Sequence, residues 1–124
     1  GVSVNVTAMM TVDQVKLVLP GLASGPGGYV SVFAGRIADS GQNPVPIMTE
    51  VVEILNDYQN IELIWASPRE LYNVVQADRI GCHIITATNN ILKKLPTLGK
   101  SLTKFSLETV KMFYNDAQEA GYRL

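Results

Sequence analysis

Four short apolar runs recur along this chain, at residues 3–9, 29–34, 61–66 and 82–87, rich in Val, Ile and aromatic side chains. Runs of this length, bounded by Gly, Pro, Asn and Ser, predict buried strands. Between them the apolar spacing turns helical. Residues 12, 15, 18, 19 and 22 are apolar, and Thr11-Val-Asp-Gln14 ahead of them fits a capping box. Residues 23–28 are small and Gly-rich and break that helix. Ile47, Val51, Ile54, Leu55 and Tyr58 form a second stripe, over residues 47–58. Ser67-Pro68-Arg69-Glu70 reads as a third helix start, with Ser as cap, Pro in the first position and Glu at the third. That helix should run to about residue 80 and stop at Gly81. Thr88 or Asn89 can cap a short helix over 90–95, ended by Pro96. Ser106 predicts the cap of a last helix reaching residue 120, with Leu107, Val110, Phe113 and Ala117 on its apolar face. Residues 39–46, rich in Gly, Asn and Pro, read as a loop, and 97–104 as a connection.

The order is βαβαβαβα plus a final helix. The strands read as continuous apolar runs rather than in–out alternation, which predicts a sheet covered on both faces. That pattern implies parallel strands joined by right-handed crossovers. Four βα units are present, where a closed parallel barrel needs eight. A length of 124 residues suits one domain, 1–124, with one core.

Composition narrows the class. Charged residues are 17% of the chain and the formal net charge is −1, so no basic face points to nucleic acid. No apolar run approaches the ~20 residues of a membrane span, and no basic and apolar leader marks a signal peptide. The single cysteine, Cys82, excludes an internal disulfide and fits a reducing compartment, so the cytoplasm is the expected location. His83 has no Cys, Asp or Glu at metal-ligand spacing, and no metal or cofactor is implied. Gly25-Pro-Gly-Gly28 lacks the lysine and spacing of a phosphate loop.

The chemistry-bearing signal is at strand ends. The second run closes on Gly35-Arg36 and the third on Ser67-Pro68-Arg69. In parallel α/β folds, ligands bind at the carboxyl ends of strands. Two guanidinium groups on one edge suit a phosphate, whose oxygens match their fork geometry. The bland alternative is a loop arginine paired with Asp39 or Glu70. Ser31 and Ser67 can donate hydroxyls to the same anion, although Ser67 also explains itself as a helix cap. Asn5 and Thr7 are polar groups in an apolar strand, and their burial without partners costs ~1–3 kcal/mol each.

Four motifs stand in order: Asn5-Val6-Thr7, Ser31-Val-Phe-Ala-Gly-Arg36-Ile, Ala66-Ser67-Pro-Arg69, and Gly81-Cys-His-Ile-Ile-Thr86 followed by Leu92-Lys-Lys-Leu95. They resemble the fifth to eighth strand ends of a transaldolase, of the subgroup shared with fructose-6-phosphate aldolase. Residues 105–122 resemble that family's closing helix. Val32 departs from the family's usual proline. Ala38 stands where an acid commonly follows the Arg-Ile pair, with Asp39 one place later.

The resemblance implies an α/β fold, a half TIM barrel of (βα)4 parallel strands plus a C-terminal helix, completed by oligomerisation. It implies a protein of sugar-phosphate (pentose phosphate) carbohydrate metabolism. Arg36, Ser31 and Arg69 would hold phosphate, and Asn5, Thr7, Phe33 and Ser67 would meet the substrate. For Phe33, core packing is the competing reading. The family uses a Schiff-base lysine on its fourth strand and an aspartate on its first, and neither strand is matched here. Lys16, Lys93 and Lys94 fall on predicted helices. No catalytic residue is therefore assigned, and inactivity of the chain alone is the expectation. The rival reading is a non-catalytic (βα)4 module that binds anions or sugar phosphates. In both, strand edges at residues 3–9 and 82–87 would drive self-association to a dimer or higher.

Overall fold

The computed structural model describes residues 1–121. They fall into two compact units: Gly1–Lys94, and a second that begins at Leu95.

In the first unit, strands β1 (Val4–Met9), β2 (Gly28–Phe33), β3 (Ile61–Ala66) and β4 (Ile84–Ile85) form one sheet in the order β1-β2-β3-β4. All three pairings are parallel, as the (βα)4 half-barrel expectation requires. Helix α1 (Val12–Ala23) connects β1 to β2. Two helices, α2 (Ala34–Asp39) and α3 (Pro44–Leu55), connect β2 to β3. Helix α4 (Tyr72–Arg79) connects β3 to β4, and α5 (Asn89–Lys94) follows. The capping box of α1 is present: Thr11 Oγ1 accepts from the Gln14 amide, and Gln14 Oε1 accepts from the Thr11 amide. Gly81 ends α4 with φ +76°, where a side chain would be strained.

One face of the sheet builds the core. Val30, Val32, Leu63 and Trp65 are fully buried, with Val15, Leu19, Met48 and Val51 in the same cluster. Each such side chain contributes ~1.5–3 kcal/mol by leaving water. The other face is covered in part: Ser31 and Ala66 are buried, and Tyr29 and Phe33 half-buried. Along β3, Ile61 and Leu63 are buried, Glu62 is exposed and Ile64 half-buried. The residues of this second face, Tyr29, Phe33 and Ile64, are apolar enough to disguise the alternation.

Four local readings are corrected. Residues after β2 are not a loop: Ala34–Asp39 is a helical turn and a half, closed by Ser40, whose hydroxyl donates to the Ile37 carbonyl. Asn43, not Ile47, opens α3; its side chain accepts from the Val45 amide, with Pro44 in the first turn. Ser67 caps no helix. Its φ is +53°, outside the extended region that a cap needs, and α4 starts only at Tyr72. Instead Asn73 Oδ1 accepts from the amides of both Arg69 and Glu70 and closes the turn before α4.

Lastly, β4 is two residues rather than six. Upstream of it, side chains take the place of strand backbone against β3. The Leu63 amide donates to His83 Nδ1 at 2.9 Å, and the Cys82 thiol lies 3.5 Å from the Leu63 carbonyl oxygen. His83 is thus a structural acceptor.

In the second unit, a 3₁₀ turn (Leu95–Thr97) contains Pro96, and α6 (Leu102–Glu119) follows. Ser101 is its cap and accepts from the Lys104 amide, so the helix starts one turn before the expected Ser106. Leu107, Val110 and Phe113 are exposed on it. The helix ends at Glu119, one residue before the expected 120, and Tyr122, the end of the stretch that resembles the family's closing helix, lies outside the described residues.

Candidate functional site

The carboxyl ends of β2 and β3 carry the two arginines by different means. After β2 the chain turns directly into α2, so Arg36 sits on a helix, exposed. Asp39 lies three residues on, a spacing that puts both side chains on one helical face. After β3 the chain passes through Ser67 and buried Pro68 to an exposed Arg69. Arg69 Nη2 donates to Asp39 Oδ2 at 2.7 Å. Of the two acids open to it, Arg69 takes Asp39, thirty residues away, rather than its neighbour Glu70.

The charges respond accordingly. The hydrogen bond from Arg69 holds the Asp39 carboxyl below its usual value, and the positive fields of Arg69 and of Arg36 add to it. Asp39 in turn raises Arg69. Both side chains of the pair stay about half exposed, at 49% and 56%, so water and salt screen the contact.

The junction between the two strand ends is tight. A Cβ on Gly35 would stand 1.5 Å from the Ser67 carbonyl oxygen, so only glycine lets α2 start this close to β3. Ser67 itself holds a left-handed backbone that costs a non-glycine residue about 1–2 kcal/mol. Its hydroxyl is buried with no hydrogen-bond partner among the described residues, as is the indole N–H of Trp65 two residues earlier.

Ser31 lies within β2. It is 3% exposed, and its hydroxyl donates to Asn5 Oδ1 at 2.8 Å. This bond satisfies both polar groups across the β1–β2 pair. Thr7 is exposed and lies in a bulge, where the register slips by one residue between Val6 and Met9 and Ala8 takes φ +62°. Phe33 is half-buried at the end of β2. Among the candidates, then, the structure brings together Ser31 with Asn5, and Arg69 with Asp39 and the field of Arg36. No hydrogen bond joins the two sets among the described residues.

Arg36 also lines a cavity of about 290 Å3. Met10, Val12, Ile37 and Ile47 supply apolar walls, and Thr11, Ser40 and Gln42 polar ones. Ser40 and Gln42 are engaged with each other, Gln42 Nε2 donating to Ser40 Oγ at 3.3 Å. Arg36 is the one charged group of this wall, at the mouth of the sheet's carboxyl edge.

The pairing of a loop arginine with Asp39, the bland alternative, is present for Arg69. Gly35 and Asn73 are the neighbours that pattern reading passed over, because their contacts are tertiary and left no local signal.

The model for transaldolase/fructose-6-phosphate aldolase matches residues 1–124. A probable transaldolase of Thermoanaerobacter sp. (strain X514) is 32% identical over 125 residues, covering 100% of this chain and 54% of that protein. A probable transaldolase of Nitrosopumilus maritimus (strain SCM1) is 34% identical over 110 residues, 87% of this chain and 47% of the relative. A third, from Rhodospirillum centenum (strain ATCC 51521 / SW), is 30% identical over 125 residues, 97% and 52%. The chain spans about half the length of the curated relatives it matches.

Proposed function

The chain belongs to the transaldolase/fructose-6-phosphate aldolase family, and from that premise we propose that it supplies the phosphate-binding side of a sugar-phosphate site. The observation that carries this reading is the ion pair of Arg69 with Asp39 at the sheet's carboxyl edge, with Arg36 on the same helix as Asp39 three residues before it. Two guanidinium groups following neighbouring strand ends have the charge and fork geometry for a phosphate monoester. In this reading Arg36 and Arg69 grip the phosphate. Ser67 donates its otherwise unpartnered hydroxyl to it. Phe33 and the apolar wall around Arg36 contact the carbon chain. Ser31 belongs to the phosphate side with Arg36 and Arg69, and Asn5 and Thr7 meet the sugar hydroxyls along β1.

Among the described residues no lysine stands on a strand: Lys16 lies on α1, Lys93 and Lys94 on α5, Lys104 and Lys111 on α6, and Lys100 just before it. The chain alone is therefore proposed to bind without forming a Schiff base. Borohydride reduction in the presence of fructose 6-phosphate should leave its mass unchanged. A retained sugar mass would overturn that part of the proposal.

Inorganic phosphate titration tests the binding. Loss of one charge-assisted contact should weaken affinity about tenfold or more in Arg36→Ala and in Arg69→Ala. Equal affinity in wild type and Arg36→Ala removes Arg36 from the site.

A second reading, a self-associating (βα)4 module, is favoured by the edge strand β1, where only Met9 is buried and Val4 is 47% exposed. An open strand edge invites pairing with another chain. Light scattering at micromolar concentration tests the self-association. A mass near the 13.5 kDa of one chain excludes self-association.

A further inference from the structure

We propose that Asp39 is a built-in competitor for the anion at Arg36 and Arg69, so that an incoming phosphate must displace its carboxylate from Arg69. This inference rests on the phosphate-binding reading above and adds a residue that tunes it. Three observations lead to it.

The first is position. The Asp39 carboxylate already occupies the place where a ligand anion would meet the Arg69 fork, with Nη2 to Oδ2 at 2.7 Å. The second is the local chemistry of α2. Asp39 is the last residue of that helix, where the carbonyl ends make an anion unfavourable. Nothing in α2 itself calls for an acid there, and the contact that compensates it comes from Arg69. The third is freedom to leave. The side chain is 56% exposed, and the backbone beneath it is held by the Ser40 and Gly41 amides bonding back into the helix. The carboxylate can swing to water without disturbing the fold.

The competitor carries one negative charge, whereas a phosphate monoester carries close to two at neutral pH. A doubly charged phosphate therefore displaces it more readily than a carboxylate ligand can. Asp39 in this way lowers the affinity of every anion at these cations, and the doubly charged phosphate is the one best able to overcome it.

The test is titration of inorganic phosphate into the full chain, followed by the arginine side-chain N–H signals. Asp39→Asn removes the charge and keeps the shape. Exposed ion pairs of this kind correspond to no more than about a fivefold effect, so Asp39→Asn should bind about two- to fivefold tighter at low salt. The gain should shrink at 0.5 M NaCl, where screening shortens the reach of the lost charge. Asp39→Glu, which keeps the charge, should stay near wild type. Equal binding in wild type and Asp39→Asn overturns the competitor role. Weaker binding in Asp39→Asn also overturns it, and makes Asp39 a residue that positions Arg69. If neither protein shifts the Arg36 or Arg69 signals, the phosphate-binding reading fails and the inference falls with it. A wild type that binds, with an Asp39→Asn that binds no tighter, defeats the inference alone.

Discussion

Replacing Gly35 by alanine should be among the most damaging single changes in the sheet. The added Cβ would lie 1.5 Å from the Ser67 carbonyl oxygen, 2.7 Å from its carbonyl carbon and 2.9 Å from its hydroxyl. An ordinary carbon–oxygen contact is near 3.4 Å, so about 2 Å of overlap must be relieved. The first two atoms are backbone, not the far end of a flexible side chain. They follow directly on β3, whose Leu63 and Trp65 are fully buried and closely packed. Overpacking of a well-filled core costs ~1–3 kcal/mol, and a clash against backbone belongs at or above the top of that range. For a small domain whose urea dependence is ~1–1.5 kcal/mol per molar, that is a fall of about 2 M in midpoint. The assay is urea unfolding followed by the fluorescence of Trp65, the sole tryptophan and fully buried. Ser67→Gly provides the matched control. It removes the left-handed strain and the orphaned hydroxyl, so it should be neutral or stabilising by up to about 1 kcal/mol. It should not rescue Gly35→Ala, because the worst contact is with the carbonyl. A Gly35→Ala protein with the wild-type midpoint, or one restored by Ser67→Gly, would refute the reasoning.

Three further outcomes are expected. Gly21→Ala, inside α1 with nothing within 4 Å of the new methyl, should stabilise by ~0.5–1 kcal/mol in the same urea assay. Burial pushes the Cys82 thiol above its usual value, so the fold favours the protonated form. That contribution is complete below the ordinary thiol range and is lost as pH rises through the higher folded value; urea midpoints should fall above pH ~9 in wild type and less in Cys82→Ala. Asp39 behaves with the opposite sign: its lowered carboxyl supports the fold above the ordinary carboxylate range, near pH 4, and that support disappears as pH falls through the folded value. Carbon-detected NMR titration of the Asp39 carboxyl in wild type and Arg69→Ala checks this, with a higher midpoint expected in the variant.

Where the chain's local signals agreed with its tertiary needs, they were readable. Thr11 and Gln14 make the capping box their spacing announces, and the four apolar runs pair in parallel and in order. The last strand shrank because its partner groups come from side chains. His83 and Cys82 turn toward Leu63 and replace a ladder that apolar patterning alone would have extended. The final helix began early for a simpler reason: Ser101 and Ser106 are both acceptable caps. The Phe105 amide bonds the Ser101 carbonyl, so the helix runs straight through Ser106.

Ser67 is the instructive failure. Ser-Pro-Arg-Glu is a strong local start for a helix, yet the residue adopts a backbone that no cap uses. The reason lies in the neighbouring strand end. Gly35 brings the first turn of α2 against the Ser67 carbonyl, and Asn73 captures the amides of Arg69 and Glu70. Together they hold residues 67–70 as an irregular turn across which Arg69 reaches Asp39 on α2. Had Ser67 capped a helix, Arg69 would have been in its first turn, where the cationic side chain opposes the helix dipole. The irregular turn avoids that penalty and frees the guanidinium for an anion. The local rule therefore fails at the residue that joins the two arginine-bearing strand ends, where strain is expected to collect when a fold must present a site.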